Sequence, residues 1–406
     1  MSFWHDPLKV AADWLLGIFT GWGMPEIAAN ILIGFLGVLL LISVLMVLDI
    51  FLVWVERKVV SRFQDRIGPN RVGPFGLIQP FADIIKLIIK EDTTPGGADR
   101  VVYNIAPMLS MMSVLILWAV VPLAPTILGV DLNIGALYII AAGAIGTLSI
   151  IMAGWSSNNK FALIGAFRQV AVMVSFEIPM LTMLLIPTIF AKSMGINAIT
   201  QAQYPVPFVL LSPLAALIFL IAAIAELGRA PFDMAEGESE LVSGYNIEYS
   251  GMKFGMFYAG ELLHAFTFGG FWAIMFFGGY GLFGLEKLPA LAWLNSPFVH
   301  IFVLLTKAMI GYWIIMWVKY TLLRIRIDHM LGFNWKFLTP LAFTLLMVTA
   351  LMNALLAGSP TWLYVSVMFL SNIVLAWIAV EMARSYSRKE REKVEGPTAV
   401  IEAAHH

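Results

Sequence analysis

The sequence predicts an all-α polytopic membrane protein with about nine transmembrane helices and one interfacial amphipathic helix. Hydrophobic residues make up 60% of the chain and charged residues only 13%, against roughly 25% charged residues in ordinary globular domains. The mean hydropathy is +0.85. The apolar residues form runs close to the ~20 residues that a helix needs to cross a bilayer. The hydrocarbon core of a bilayer has no water to bond backbone N–H and C=O groups, and a helix satisfies these groups within its own segment.

The apolar runs predict spans at residues 29–55, 102–124, 134–155, 161–191, 206–226, 252–280, 298–321, 337–357 and 361–384. An interfacial segment, residues 1–28, precedes an eight-span core, residues 29–357. Residues 358–406 add a ninth span and a basic tail. We expect Tyr364, Met368 and Trp377 of the ninth span to face lipid or a neighbouring chain.

One predicted helix, residues 75–90, lies along the membrane surface. Its polar residues form one helical stripe and its apolar residues cover the other side, a pattern typical of interfacial helices. The stripe consists of Gln79, Asp83, Lys86 and Lys90. The preceding GPNRVGP sequence predicts a turn that ends the first span.

The distribution of Lys and Arg predicts the orientation. Most of the 25 basic residues fall on the side reached after the first span. Lys9, Lys192 and Lys287 fall on the other side, and Lys307 lies within a span. Because positive charges favour the cytoplasmic side, we expect an external N-terminus and a cytoplasmic C-terminus.

The composition also limits the chemistry of this chain. There are no cysteines, so disulfides, thiolate metal sites and cysteine-ligated iron–sulfur clusters are excluded. No HExxH spacing and no glycine-rich nucleotide loop occurs. We therefore expect no metal site and no bound redox cofactor. The net charge of −1 gives no indication of a nucleic-acid partner, and none is expected.

Acidic residues are concentrated between two apolar runs, in and beside a predicted cytoplasmic loop, residues 227–251. They are Glu226, Asp233, Glu236, Glu238, Glu240, Glu248 and Glu261. Carboxyl groups this dense repel one another, so some are expected to hold a proton near neutral pH. The interleaved Pro231, Phe232, Leu241, Val242, Tyr245 and Tyr249 favour a packed segment over a solvated loop.

A few ionisable residues lie within or at the ends of predicted spans, where charge is costly unless it is paired or hydrated. They are Asp49, Glu56, Arg168, Glu177, Glu261, His264 and Lys307. We expect His264 and Asp49 to have structural roles. We expect Glu177 and Glu261 to be functional, because they belong to the larger set of acids. Pro179 is expected to kink its span, since it cannot donate to the Ser175 carbonyl.

Three segments together resemble one protein family. They are ERKVVSRFQDRIGPNRVGPFGLIQPFADIIKLIIKED (Glu56–Asp92), AGWSSNNKFALIGAFRQVAVMVSFE (Ala153–Glu177) and RAPFDMAEGESELVSGYNIEYSGMKF (Arg229–Phe254). The resemblance is to the H subunit of bacterial respiratory complex I, the proton-pumping NADH:quinone oxidoreductase, and it covers about residues 29–357. The ninth span departs from the eight-span pattern of that family.

The resemblance implies a membrane subunit that forms part of a quinone chamber and a carboxylate path toward the pumping subunits. The implied chamber residues are Glu56, Arg57, Asp83, Arg229 and Asp233. The implied proton path consists of Arg168, Glu177, Glu236, Glu238, Glu240, Glu248 and Glu261. Quinone would be the substrate, and FMN and iron–sulfur clusters would lie on partner chains. The partners would be the peripheral quinone-site subunits, small neighbouring membrane subunits and lipids, in a bacterial plasma membrane.

Two alternatives compete with this interpretation. One is the equivalent subunit of a membrane-bound hydrogenase or formate-oxidising complex. The intact Glu56–Asp92 segment, with its bilayer-facing helix, favours a lipid quinone instead. The other is a stand-alone ion-coupled transporter, against which stands the lack of internal repeats or paired broken helices in the sequence. A purely structural anchor would leave the acids at span depth unexplained.

Overall fold

The computed structural model describes residues 6–234, 237–284 and 293–404, without the side chains of residues 238–239 and 389–404. Every regular element of these residues is helical. In chain order the α-helices are α1 (Pro7–Gly21), α2 (Glu26–Phe63), α3 (Gln79–Ile89), α4 (Arg100–Leu117), α5 (Gly135–Ser156), α6 (Lys160–Ala191), α7 (Ile196–Ala202), α8 (Phe208–Leu211), α9 (Pro213–Glu226), α10 (Glu238–Leu241), α11 (Gly251–Phe276), α12 (Pro297–Thr321), α13 (Ile327–Phe333), α14 (Thr339–Leu355) and α15 (Thr361–Ala404). Glu236 and Lys287 lie outside the described residues.

Seven helical segments of the described residues are long and apolar enough to cross a membrane. They are Glu26–Phe63, Arg100–Val120, Gly135–Ser156, Lys160–Ala191, Pro297–Thr321, Ile327–Leu355 and Thr361–Arg388. The predicted span at 252–280 corresponds to α11, and the one at 206–226 to the shorter α8 and α9. The all-α polytopic membrane class is confirmed, while the number of nine spans stays a prediction.

The core of the bundle lies around α6, which packs against α5, α9 and α14. Pro179 lies inside this helix. Pro179 has no backbone N–H to donate to the Ser175 carbonyl. This carbonyl accepts a hydrogen bond from Asn334 Nδ2 at 2.6 Å instead. Asn334 begins a π-helical segment, Asn334–Leu338, just before α14. A side chain from another helix thus satisfies the backbone group that the proline leaves free, as membrane helices require.

The amphipathic helix α3 begins at Gln79, later than the predicted residue 75. Residues Pro74–Gly76 instead form a 3₁₀ turn in which Phe75 has a φ of 54°, a conformation that does not continue a helix. Helix α3 packs on α2 and α11. Its Ile85 and Ile88 are exposed in the chain alone, as expected for a helix whose apolar face meets lipid.

The acidic loop between α9 and α11 is packed for most of its described length. Phe232, Leu241 and Tyr249 are buried, and the Phe232 ring lies 5.2 Å from that of Phe176 in α6. Val242 departs from the expectation, since it is 58% exposed. Apolar side chains therefore hold this loop against the bundle and fix the position of its charged residues.

The last helix, α15, packs against α8, α9 and α14. Its Asn372 is buried and contacts Ser212 Oγ and the Leu211 carbonyl, where the break between α8 and α9 leaves backbone groups free. Met368 is also buried, so the expectation that it faces lipid or a neighbouring chain is wrong. Tyr364 is half-buried and donates to Asn353. Trp377 is exposed. Contacts along one face of the helix explain the difference.

Candidate functional site

A buried charge network joins the predicted cytoplasmic end of α2 to the loop after α9 and to helices α11 and α12. Arg229 is 2% exposed, and its Nε lies 3.2 Å from Glu261 Oε1. Its Nη2 lies 3.7 Å from Glu56 Oε2. Burial lowers the pKa of Arg229, but Glu56 and Glu261 raise it above its ordinary value, so the guanidinium stays charged. A buried cation held by two carboxylates is therefore the centre of the site.

Glu56 is the most heavily bonded acid of this network. Its Oε1 accepts from Lys319 Nζ at 3.0 Å and from the Tyr320 hydroxyl at 2.6 Å. Its Oε2 accepts from the Tyr312 hydroxyl at 3.1 Å. Charge-assisted bonds of this kind are stronger than neutral ones, so Glu56 is held in one orientation.

Helical spacing brings these groups together. In α2 the buried positions Leu45, Asp49, Leu52 and Glu56 recur at the intervals of one helical face. Residues seven apart lie two turns apart on one face, which places Lys319 above Tyr312 on α12. Sequence reasoning did not identify Tyr312, Lys319 or Tyr320 as part of the site. The sequence signal that could have identified them is their spacing of seven and eight residues, which places three polar groups on one face of an apolar helix.

A cavity of about 170 Å³ adjoins the network. Its walls come from α4, α5, α6, α11, α12 and the loop after α9. Arg229, Asp233 and Glu261 line it, together with Glu226 and Gln169. The Oε2 atom of Glu226, the Oε1 atom of Gln169 and both Nη atoms of Arg229 are buried without a hydrogen-bond partner. Several unpartnered polar atoms around a space of this size are suited to bind ordered water.

Glu226 connects this cavity to the predicted acid of α6. It ends α9 and is 5% exposed. Glu177 lies close enough for the two carboxyl groups to interact electrostatically. Glu226 is one of the acids concentrated in this part of the sequence, but its residue type and position alone assign it no role. Its burial beside the cavity was not evident from its position at the end of an apolar run.

Arg57 follows Glu56 in α2 and points to a different neighbour, since successive residues of a helix lie about 100° apart. Its Nη1 lies 2.5 Å from Asp83 Oδ2 of α3. Lys86 Nζ lies 3.5 Å from the other carboxyl oxygen of Asp83. The Arg57–Asp83 ion pair thus ties the amphipathic helix to the end of the first span.

The remaining described acids of the loop lie closer to water. Arg168 Nη1 lies 2.5 Å from Glu240 Oε2, and Glu240 is exposed. The hydrogen bond and the charge of Arg168 lower the pKa of Glu240. Glu248 accepts from Asn159 Nδ2 at 2.8 Å. The predicted residues therefore divide into a buried group around Arg229 and a group at the loop.

Some predicted residues fall outside both groups. Glu236 lies outside the described residues, as does the side chain of Glu238. Lys307 donates to the carbonyls of Phe277, Gly279 and Gly281 at 2.6–2.9 Å, which closes the loop after α11. It therefore has a structural role far along the helix from the network.

Comparisons with known proteins identify one family. The family model described as NADH dehydrogenase matches residues 36–350. The H subunit of NADH-quinone oxidoreductase from Dehalococcoides mccartyi strain CBDB1 is 44% identical over 299 residues, 73% of this chain and 80% of that protein. An H subunit of NADH-quinone oxidoreductase from Syntrophobacter fumaroxidans is 41% identical over 76% of this chain and 92% of that protein.

A third relative extends the match over nearly its whole length. An H subunit of NADH-quinone oxidoreductase from Geobacter metallireducens is 39% identical over 336 residues, which are 80% of this chain and 98% of that protein. The region matched by the family model includes the buried network and the loop that carries Arg229. The chain therefore belongs to the family of the H subunits of NADH-quinone oxidoreductase, the membrane subunits of respiratory complex I.

Proposed function

We propose that this membrane subunit forms one wall of a quinone chamber and carries a carboxylate path that couples quinone reduction to proton translocation. The observation that carries the proposal is the buried Arg229, held between Glu56 and Glu261 beside a cavity that charged side chains line. Reduction of a quinone takes up protons and places negative charge in a dry site. A charge network of this kind responds to such charge by moving or releasing protons.

The chamber side consists of Glu56, Arg57, Asp83, Arg229 and Asp233. Helix α3 has an exposed apolar face, and its Asp83 is tied to Arg57 of α2. A lipid quinone arriving from the bilayer would pass between an apolar surface and this polar pair. These contacts support an entrance at α2, α3 and α11, which are the helices that pack together there.

The path side includes the acids that lead away from the chamber. It consists of Arg168, Glu177, Glu236, Glu238, Glu240, Glu248 and Glu261, to which the cavity adds Glu226. Glu261, Glu226 and Glu177 form its inner part, because the first two share the cavity and the third interacts with Glu226. The Arg168–Glu240 pair forms the part nearest to water.

Electron carriers complete this function on other chains. FMN and iron–sulfur clusters would lie on partner subunits, with quinone as the substrate at the shared chamber. The partners would be peripheral quinone-site subunits, small neighbouring membrane subunits and lipids of a bacterial plasma membrane. The distribution of basic residues favours a cytoplasmic position for the acidic loop and the C-terminus and an external N-terminus.

The test replaces Glu261 with Gln in the assembled complex in sealed membrane vesicles. We expect proton translocation and quinone reduction to fall about a hundredfold, the lower end of what a positioned acid–base group contributes. NADH oxidation by a soluble artificial acceptor stays unchanged, because that reaction does not need the membrane arm. The matched control is Glu381→Gln, an exposed acid of α15 paired with Arg384.

Two results would contradict the proposal. A Glu261→Gln complex that pumps protons at the wild-type rate would remove this acid from the path. Photoreactive quinone analogues that never label residues 75–90 would remove the amphipathic helix from the entrance. The Glu381→Gln control must retain full coupling for the first result to be interpreted.

A further inference from the structure

A histidine in α11 lies beside the acids of the cavity. His264 follows Glu261 by three residues, so it lies nearly one turn further along the helix and on the same side. Its ring stacks on that of Phe268, with the ring centroids 4.7 Å apart. The stack orients the imidazole, and the residue lines the cavity together with Glu226 and Glu261.

The Nε2 atom of His264 is shielded from solvent and has no hydrogen-bond partner among the described residues. A buried polar atom in this state is unfavourable unless water or a ligand satisfies it. The cavity of about 170 Å³ next to the ring has room for several waters, since one needs only about 10–15 Å³ of such space. Glu226 Oε2 is likewise unpartnered at the same cavity. The two atoms therefore share a space in which water can bridge them.

Imidazole has a property that Gln169 and Arg229 of the same cavity lack. Neutral imidazole carries one donor and one acceptor nitrogen, whereas Gln169 and Arg229 keep their protons. It takes up and releases a proton with little change of position. Helix α11 already holds Glu261 against Arg229, so a carboxylate and an imidazole face one cavity from successive turns.

We propose that His264 is a proton-carrying residue of this cavity, which exchanges protons through water with Glu226 and Glu261. A protonated carboxyl group gives its proton through water to Nε2 and becomes a carboxylate. The imidazolium then returns a proton to the second carboxylate and becomes neutral again. This inference rests on the proposed carboxylate path. It replaces the structural role expected for His264 from the sequence.

The experiment compares His264→Asn and His264→Phe in the assembled complex in sealed vesicles. Asparagine keeps a donor and an acceptor but does not titrate, whereas phenylalanine keeps a ring that can stack on Phe268. We expect both variants to lower the initial rate of proton translocation by about a hundredfold. NADH oxidation by a soluble acceptor stays at the wild-type level in both.

The two variants separate proton transfer from packing and hydrogen bonding. A His264→Asn complex that pumps at the wild-type rate would overturn the proposal and leave only a hydrogen-bonding role. Normal pumping by His264→Phe would overturn any role of the ring nitrogens. His300→Asn is the control, because His300 is buried and bonded to Tyr280 and Asn295 outside this cavity. A comparable loss of pumping in that control would also overturn the assignment.

The outcome for Glu261→Gln distinguishes this inference from the function on which it rests. Normal pumping by Glu261→Gln would mean that the carboxylate path itself fails. Impaired pumping by Glu261→Gln beside normal pumping by His264→Asn would mean that only the role of His264 fails.

Discussion

Two arginine–glutamate contacts of this protein have similar chemistry and opposite surroundings. Arg229 is buried between Glu56 and Glu261, whereas Arg168 meets Glu240 where the side chain of Glu240 is 54% exposed. An exposed pair contributes little to stability, because water competes for both charges. Removing one partner of a buried pair costs roughly 3–5 kcal/mol, because the other charge is left without compensation.

The difference concerns function as well as stability. Water screens an exposed pair and can replace either partner, so protonation of Glu240 affects its neighbours little. Around Arg229 a change in one charge acts on the others through a medium of low polarity, where the same separation gives a larger energy. Local density of acids in the sequence is therefore a weaker guide to coupling than burial beside a cation and a cavity.

The largest expected effect comes from removal of the shared cation. In an Arg229→Gln variant Glu261 loses the cation of its ion pair, and Glu56 keeps the cation Lys319 and the hydroxyls of two tyrosines. We expect a loss of stability of roughly 3–5 kcal/mol, measured as a lower amount of assembled complex and a lower midpoint of thermal inactivation. Quinone reduction falls with it, because the network beside the chamber is rearranged.

Arg229→Lys is the matched control for charge. Lysine keeps the positive charge but lacks the planar fork that contacts two carboxylates, so we expect partial assembly and reduced quinone turnover. Full assembly and wild-type turnover of Arg229→Gln would show that the buried contact is no more important than an exposed pair.

A second prediction concerns Glu177, the half-buried acid of α6. Glu177→Gln removes a titratable group that interacts with Glu226 beside the cavity while preserving shape. We expect coupled turnover to fall about a hundredfold, with NADH oxidation by a soluble acceptor and complex assembly unchanged. Proton translocation in sealed vesicles is the measurement. Wild-type pumping by the assembled variant would exclude Glu177 from the path.

The sequence predicted much of the fold because its signals are local. Apolar runs, the polar stripe of α3 and the interleaved apolar residues of the acidic loop each follow from physical rules within one segment. The break between α8 and α9 was not predicted. Pro213 was visible, but the partner that makes a break tolerable, Asn372, lies far away in the chain.

The candidate site was predicted less completely for the same reason. Glu261 was identified from its residue type and its position in a predicted span, whereas Arg229 was identified only from the family resemblance. Tyr312, Lys319 and Tyr320 were not, because their role depends on which face of α12 meets Glu56. The packing of α12 against α2 decides which face that is, and the periodicity of a single helix does not show how two helices pack.

The smallest expected effect is at the exposed pair. Glu240→Gln removes the acceptor of Arg168, yet water is present to solvate the guanidinium and to carry protons at this end of the path. We therefore expect coupled turnover of Glu240→Gln to stay within about threefold of the wild type, in line with the small contribution of exposed pairs. Turnover in sealed vesicles at low and high salt is the measurement, with Glu261→Gln assayed in parallel.

The pH dependence of this pair follows from the lowered pKa of Glu240, whose main cause is the hydrogen bond from Arg168. A lowered pKa in the folded protein means that the pair contributes above the ordinary glutamate pKa of about 4.3. The contribution is lost as the pH falls through the lowered value, so the pair is intact at neutral pH. High salt shortens the range over which exposed charges interact, to about 3 Å at 1 M, and should weaken this pair while affecting the buried Arg229 network much less. A loss of coupling in Glu240→Gln as large as in Glu261→Gln would mean that exposure does not set the importance of these acids, and the contrast between the two regions would fail.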